Sequence, residues 1–309
     1  MRVMSGPPAP FDRRVHRLRR DRAAALIDRA EPLLAAVAER LLDRLDDTTR
    51  RFTRALDLGG RHGPLAGALK ARGIPFVVSA DLSPRMAARA GGLAVGADEE
   101  WLPFAPASFD LIVSSLSLHW VNDLPGALIQ ARQALAPDGL FLAILPGPAT
   151  LAPLRAAFLA AEVATAGGAS PRVIPLPDLR DAAGLLQRAG FALPVADAET
   201  LTVSYPDPFA LFAELRALGE TNALAARSRR PATRTLIAEV ARRLPRDGEG
   251  RVAMPLDLIT LTGWAPAASQ PKPLAPGSAT ARLAAALGAE EQGAGEPAPS
   301  RLAPPKPAR

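Results

Sequence analysis

Three groups of residues, each placed where an apolar run stops, carry side chains suited to holding a nucleoside. The first is Asp57-Leu58-Gly59-Gly60-Arg61-His62-Gly63, at the end of the run "RFTRALDL". Glycines in such a turn let the backbone pass close beneath a ligand and lead straight into a helix. The second is Asp81, eighteen residues beyond Gly63 and last in "IPFVVSAD". A carboxylate there is placed to accept both hydroxyls of a ribose. The third is Asp98-Glu99 after "LAVGA", placed to accept from an exocyclic amine. Each signal is weak alone, because a glycine turn is often only a turn and a strand-end aspartate often only caps a loop. On successive strand ends the three outline a nucleoside-shaped site.

The turn lacks both the six-residue GxGxxG cradle and GxxxxGK(S/T), so a dinucleotide or nucleoside triphosphate fits less well. An adenosine without phosphate fits better, which makes S-adenosylmethionine the expected cofactor. Arg61 departs from that pattern, since a glycine is usual there. Its guanidinium can swing to solvent, pair with the cofactor's carboxylate, or occupy the pocket. With Gly59, Gly63, Asp81 and Asp98 all present, retained binding is expected.

These residues need a scaffold that brings strand ends together. Short, continuously apolar strands alternate with helices: "RFTRALDL", "IPFVVSAD", "LAVGAD", "FDLIVSSLSL" and "DGLFLAILPG" are separated by "GPLAGALKARG", "SPRMAARAGG" and "DLPGALIQARQAL". That alternation predicts a parallel sheet covered on both faces, with ligands bound beyond the carboxyl ends of its strands. Ser83 with Pro84, and Asp123, read as helix starts. Upstream, residues 12–30 and 31–47 read as helices, with Pro32 suited to a first turn. Downstream, 150–166, 178–189, 208–218 and 232–243 read as helices, and "FALPVADAETLTVSY" and "LDLITLTGW" as strands extending the same sheet. The organisation expected is Arg-rich helices over 1–47, a sheet domain over 48–264 and a Pro/Ala-rich tail over 265–309, disordered after about 285.

At this point the chain resembles a known family. "ALDLGG", "ADLSPRM" and "GADEEWLPFAPASFDLIVSSLSLHWVNDLPGALIQARQALAPDGLF" are similar to class I S-adenosylmethionine-dependent methyltransferases. "SFDLIVSSLSLHWVNDLPGAL" narrows this to two branches: the malonyl-acyl-carrier-protein methyltransferase of biotin synthesis, and an assembly-factor branch for respiratory complex I whose mitochondrial member is described as a protein arginine hydroxylase. "FDRRVHRLRRDRAA", "GGASPRVIPLPDLRDAAGLLQRAGF", "YPDPFALFAELRALGETNA" and "LTGWAPAASQPKPLAPGSA" resemble the second branch, and the likeness spans about residues 11–280.

The resemblance implies a Rossmann-like α/β fold with a mostly parallel seven-stranded sheet and helices on both faces. It implies Asp57, Gly59 and Gly63 on the methionine side of the cofactor with Gly60 also binding it, Asp81 at the ribose, Leu82 beside the adenine, Asp98 and Glu99 at the adenine, and Ser115 facing the site. His119 and Trp120 fall where a substrate would lie. Trp120 also suits a core plug. His119 is the candidate catalytic residue, although no partner carboxylate is legible. The substrate implied is a protein, a complex I subunit. The alternatives are methyl transfer to a malonyl thioester and a non-enzymatic assembly chaperone.

Composition bounds these expectations. There are no cysteines among 309 residues, and His16, His62 and His119 lie far apart without metal-ligand spacing, so no metal site is expected. The stretch Gly139–Leu154 is short for a membrane span and holds three prolines. The N-terminus has no secretory apolar core. The net charge is +6, and Arg13, Arg14, Arg17, Arg19, Arg20 and Arg22 crowd one segment, expected to be a solvated helix face. Few aromatics accompany them and "SSLSLHW" lacks an Asn-Pro-Pro-Tyr-like element, so no nucleic-acid partner is expected. The expected location is the cytoplasm, or the mitochondrial matrix if the source is eukaryotic.

Overall fold

In the computed structural model, which describes residues 9–271 and Gly288, the apolar runs become seven strands of one sheet. They are β1 (Arg54–Leu58), β2 (Phe76–Asp81), β3 (Leu93–Gly96), β4 (Phe109–Ser115), β5 (Leu135–Pro146), β6 (Ala192–Tyr205) and β7 (Val252–Trp264). Their spatial order is β3-β2-β1-β4-β5-β7-β6. β1 to β5 run parallel, and β7 inserts antiparallel between β5 and β6. The chain steps outward from β1 through β2 to β3, then returns to the other side of β1 as β4. The order therefore reverses between β1 and β4, which is where ligands of open α/β sheets bind.

The helices are α1 (Arg13–Ala23), α2 (Glu31–Asp46), α3 (Pro64–Ala71), α4 (Pro84–Ala87), α5 (Leu124–Ala134), α6 (Ala152–Ala166), α7 (Leu179–Arg188), α8 (Pro208–Ala217) and α9 (Arg234–Arg243). Successive strand residues point to opposite faces, and both faces are covered. Leu56, Leu58 and Ile112 pack with Leu128 of α5 and Leu186 of α7 on one side. Ala55, Leu111 and Val113 pack with Leu41 of α2 and Leu69 of α3 on the other. A further core joins Leu154, Leu211, Leu236 and Val240 of α6, α8 and α9 to Val252 and Met254 of β7. Truncating a central residue such as Leu56 to alanine is worth about 2–5 kcal/mol.

The expected helix over 12–30 is interrupted. α1 stops at Ala23, and a single 3-10 turn over Ile27–Ala30 leads into α2. Pro32 explains where continuity must fail, since its ring clashes with the carbonyl four residues back in a continuous helix. The break lets Ile27 and Ala30 bury completely against Met86 and Ala217. β7 begins four residues earlier than "LDLITLTGW" suggests, so Pro255 lies within a strand. It pairs there only with Thr202 of β6, beyond the end of β5, a place where a missing N–H removes no ladder bond.

The chain divides into two compact units, Met1–Ala268 and Ser269–Arg309, and every element above lies in the first. The tail expected to be disordered after about 285 lies outside the described residues, Gly288 apart. Among the described residues no helix is long and apolar enough to cross a membrane.

Candidate functional site

The glycine turn sits at the switch point. Gly59 and Gly60 both donate from backbone N–H to the carbonyl of Ala80, at 2.7 and 3.0 Å, stitching the end of β1 to the end of β2. Gly59 has φ +72° and its missing Cβ would collide with Ser117 Oγ. Gly63 has φ +83°, caps α3, and would place a Cβ 2.8 Å from Ala90. Between them Arg61 is also left-handed, at φ +52°, a conformation that costs a non-glycine residue roughly 1 kcal/mol. Beneath the turn, Asp57 is fully buried. Burial pushes its carboxyl up to about 7.

Asp81 ends β2 and is itself fully buried. Its Oδ1 accepts from the backbone N–H of Ser83 at 2.7 Å and from Arg20 Nε at 3.2 Å. Its Oδ2 accepts from the backbone N–H of Arg61 at 3.0 Å and from Arg20 Nη2. Past β3, Arg13 Nη2 donates to Asp98 Oδ1 at 2.5 Å and to Glu99 Oε2. Glu99 Oε1 accepts from Ser117 Oγ at 2.7 Å.

Arg13, His16 and Arg20 recur at i, i+3 and i+7, so they share one face of α1, and that face lies on the strand ends. Arg14, Arg17 and Arg22 point outward and are exposed. The solvated helix face expected from the charge cluster is thus only half the helix. Arg20 is withdrawn completely from solvent and Arg13 almost so, because strand-end carboxylates compensate each of them. His16 is buried, stacks on Trp120 at 4.7 Å between ring centroids, and is held well below its usual range by burial and by Arg20.

Arg61 turns inward and is 2% exposed. It donates to the carbonyls of Ser115 (2.8 Å) and Leu116 (2.7 Å) and to Glu220 Oε1 (3.2 Å). Burial and the neighbouring Arg20 pull it down to about 10. Glu220 Oε2 also meets His119 Nε2 at 3.0 Å and accepts from Trp120 Nε1 at 2.5 Å. Although burial acts to raise it, His119 and Arg61 hold Glu220 well below the usual carboxylate range. Glu220 is the functional candidate missed in the sequence. It lies in "ALGETNA", just past α8 and 101 residues from His119, with nothing local to mark its partners.

A cavity of about 570 Å³ adjoins this cluster, with Arg61, Leu116, His119, Trp120 and Glu220 on its wall. Trp120 is 2% exposed and lies between Phe11 and His16, so it fills core while edging the cavity. Ser115 ends β4 with a buried Oγ that has no hydrogen-bond partner among the described residues. Leu82 is buried directly after Asp81.

The residue set fits S-adenosylmethionine: a glycine turn, a carboxylate ending β2 and an acidic pair after β3. Each of those acids already carries an arginine of α1: Arg20 on Asp81, and Arg13 on Asp98 and Glu99. Of the three outcomes open to Arg61, the swing to solvent is the one the structure does not show: the guanidinium is buried against the backbone where β4 ends.

A family model described as a methyltransferase domain matches residues 18–194, and the chain belongs to that methyltransferase family. Its sheet has the Rossmann-like arrangement of the class I enzymes. Among individual proteins, it is 35% identical over 283 residues to the mitochondrial arginine-hydroxylase NDUFAF5 of Danio rerio, covering 89% of this chain and 88% of that one. It is 36% identical over 270 residues to the malonyl-acyl-carrier-protein O-methyltransferase of Laribacter hongkongensis, covering 80% and 88%. The YcgJ protein of Bacillus subtilis superposes with a TM-score of 0.51 at 17% identity, over 74% of this chain and 98% of that one. A likeness of that order speaks for the fold alone.

Proposed function

We propose that this protein is an S-adenosylmethionine-dependent enzyme of the methyltransferase type, acting on a protein substrate during assembly of respiratory complex I. The observation that carries the proposal is the alignment of the glycine turn, Asp81 and the Asp98-Glu99 pair on neighbouring strand ends; of the turn only Arg61 reaches the wall of the cavity. The assembly role rests on identity to the NDUFAF5 hydroxylases across most of the chain.

When bound, S-adenosylmethionine supplies an electrophilic methyl group. Asp81 would hold its ribose, with Leu82, Asp98 and Glu99 at the adenine. Asp57, Gly59, Gly60, Gly63 and Ser115 would line the remainder. The chain's own contribution is to position and exclude water. Glu220 orients His119 through Nε2, leaving Nδ1 buried and without a hydrogen-bond partner among the described residues. Trp120, Phe11 and His16 seal the site from the α1 side.

The test compares a deletion strain of the source organism with its parent. Complex I should assemble poorly in the deletion strain, and one of its subunits should lose a mass increment. A fully assembled complex with unchanged subunit masses would refute the proposal.

A further inference from the structure

The cavity carries charge that the site described above does not use. Its volume, about 570 Å³, suits a small molecule. Its walls are chiefly aliphatic and aromatic, with Leu151, Leu154, Phe158, Val203, Leu215 and Leu256 prominent among them. Arg216, Arg229 and Arg230 line it and are themselves exposed, so they stand at its open side. None of the three side chains has an ion-pair partner among the described residues. Arg19, also on the wall, donates only to Thr221 Oγ1, at 2.9 Å. Among the described residues Glu220 is the sole carboxylate on the lining, and Arg61, His119 and Trp120 already share it. Apart from the cluster around Glu220 the interior is largely apolar; Arg172 and Arg227 on the wall pair with Glu162 and Asp12, and the three exposed arginines have no such partner among the described residues.

We propose that this cavity binds an amphiphile, with an aliphatic chain inside and an anionic head, carboxylate or phosphate, under Arg216, Arg229 and Arg230. The chain gains by leaving water. The head gains charge-assisted, bidentate hydrogen bonds from guanidinium groups that have no ion-pair partner among the described residues. A cationic head, a guanidinium included, meets the same arginines as repulsion. The proposal stands on the cavity and its charges, and holds whether or not the protein transfers a methyl group.

The probe is cis-parinarate, a fluorescent polyene carboxylate, titrated into the full-length protein. It is then displaced by dodecanoate, dodecyl phosphate, dodecanol or dodecylguanidinium, each below micelle formation. Both anions should displace it at concentrations at least tenfold below those of the alcohol and the cation. Equal potency of all four, or no binding of parinarate, overturns the proposal. The exposed triple variant Arg216→Glu/Arg229→Glu/Arg230→Glu should weaken dodecanoate at least tenfold and favour dodecylguanidinium, and an unchanged order overturns it equally. Leu215→Trp, checked for folding by circular dichroism, should lower parinarate affinity at least fivefold. Full affinity in that variant would place the chain outside this cavity and sink the assignment.

Discussion

Arg20 and Asp81, sixty-one residues apart, form a two-pronged ion pair in which both side chains are withdrawn from solvent. The pair ties α1 to the end of β2, at the carboxylate proposed above to hold a ribose. A buried pair gains little over a well-packed apolar substitute, but removing one partner leaves a buried charge unmatched. Arg20→Ala should therefore cost about 3–5 kcal/mol in urea unfolding at pH 7. The neutral double variant Arg20→Gln/Asp81→Asn should recover more than half of that. A loss below 1 kcal/mol in the single variant would mean that Asp81 finds water or another donor once Arg20 is gone.

At Arg61, two effects of opposite sign meet. Glycine would relieve the left-handed backbone by roughly 1 kcal/mol. It would also forfeit two hydrogen bonds to carbonyls and a buried partner of Glu220, worth about 3 kcal/mol together. Arg61→Gly should thus lower stability by about 2 kcal/mol, measured by denaturant midpoint at constant slope. A stabilised variant would show that strain outweighs the ion pair.

Asp57 gives a pH signature of its own. Folded, its carboxyl keeps a proton up to about pH 7, whereas its ordinary value is 3.8. Between those values the folded state binds more protons than the unfolded state, so stability declines as pH rises through the window. Asp57→Asn removes that dependence. Relative to the parent it should be on the order of 3 kcal/mol more stable at pH 8 and nearly equal at pH 4. Thermal unfolding at the two pH values decides it, and a difference that does not grow with pH counts against a protonated Asp57.

Glu220 carries the opposite sign. Its folded value lies below the ordinary 4.5, so its contribution is complete above that pH and is lost as pH falls through the folded value. Glu220→Gln should cost about 3 kcal/mol at pH 7, with the gap to the parent closing steadily below pH 4.5. A gap that stays constant down to pH 2 would show that the carboxylate's charge is not what holds Arg61 and His119.

Much of the fold was legible because it is written locally. Alternating apolar runs, Ser83 and Asp123 as caps and Pro32 at a helix start each act within a few residues. The glycine turn, Asp81 and Asp98 could be aligned because a parallel sheet puts successive strand ends side by side. The occupants of those acids were not legible. Arg13 meets Glu99 across 86 residues and Arg20 meets Asp81 across 61, and helical spacing gives a face without saying what it faces. Glu220 escaped for the same reason: its three partners come from the turns after β1 and β4 and meet it only in the folded chain. The inward turn of Arg61 depends on carbonyls that a sequence does not display.

The central claim is that the strand-end acids form the cofactor site and that α1 holds them with its own arginines. Its most direct test is the affinity for S-adenosylmethionine of the parent and of Arg20→Gln, measured by titration calorimetry at pH 7.5. Freeing Asp81 should tighten binding at least tenfold, by removing a competitor for the same oxygens. Equal or weaker binding by Arg20→Gln, or no binding by either protein, would contradict it.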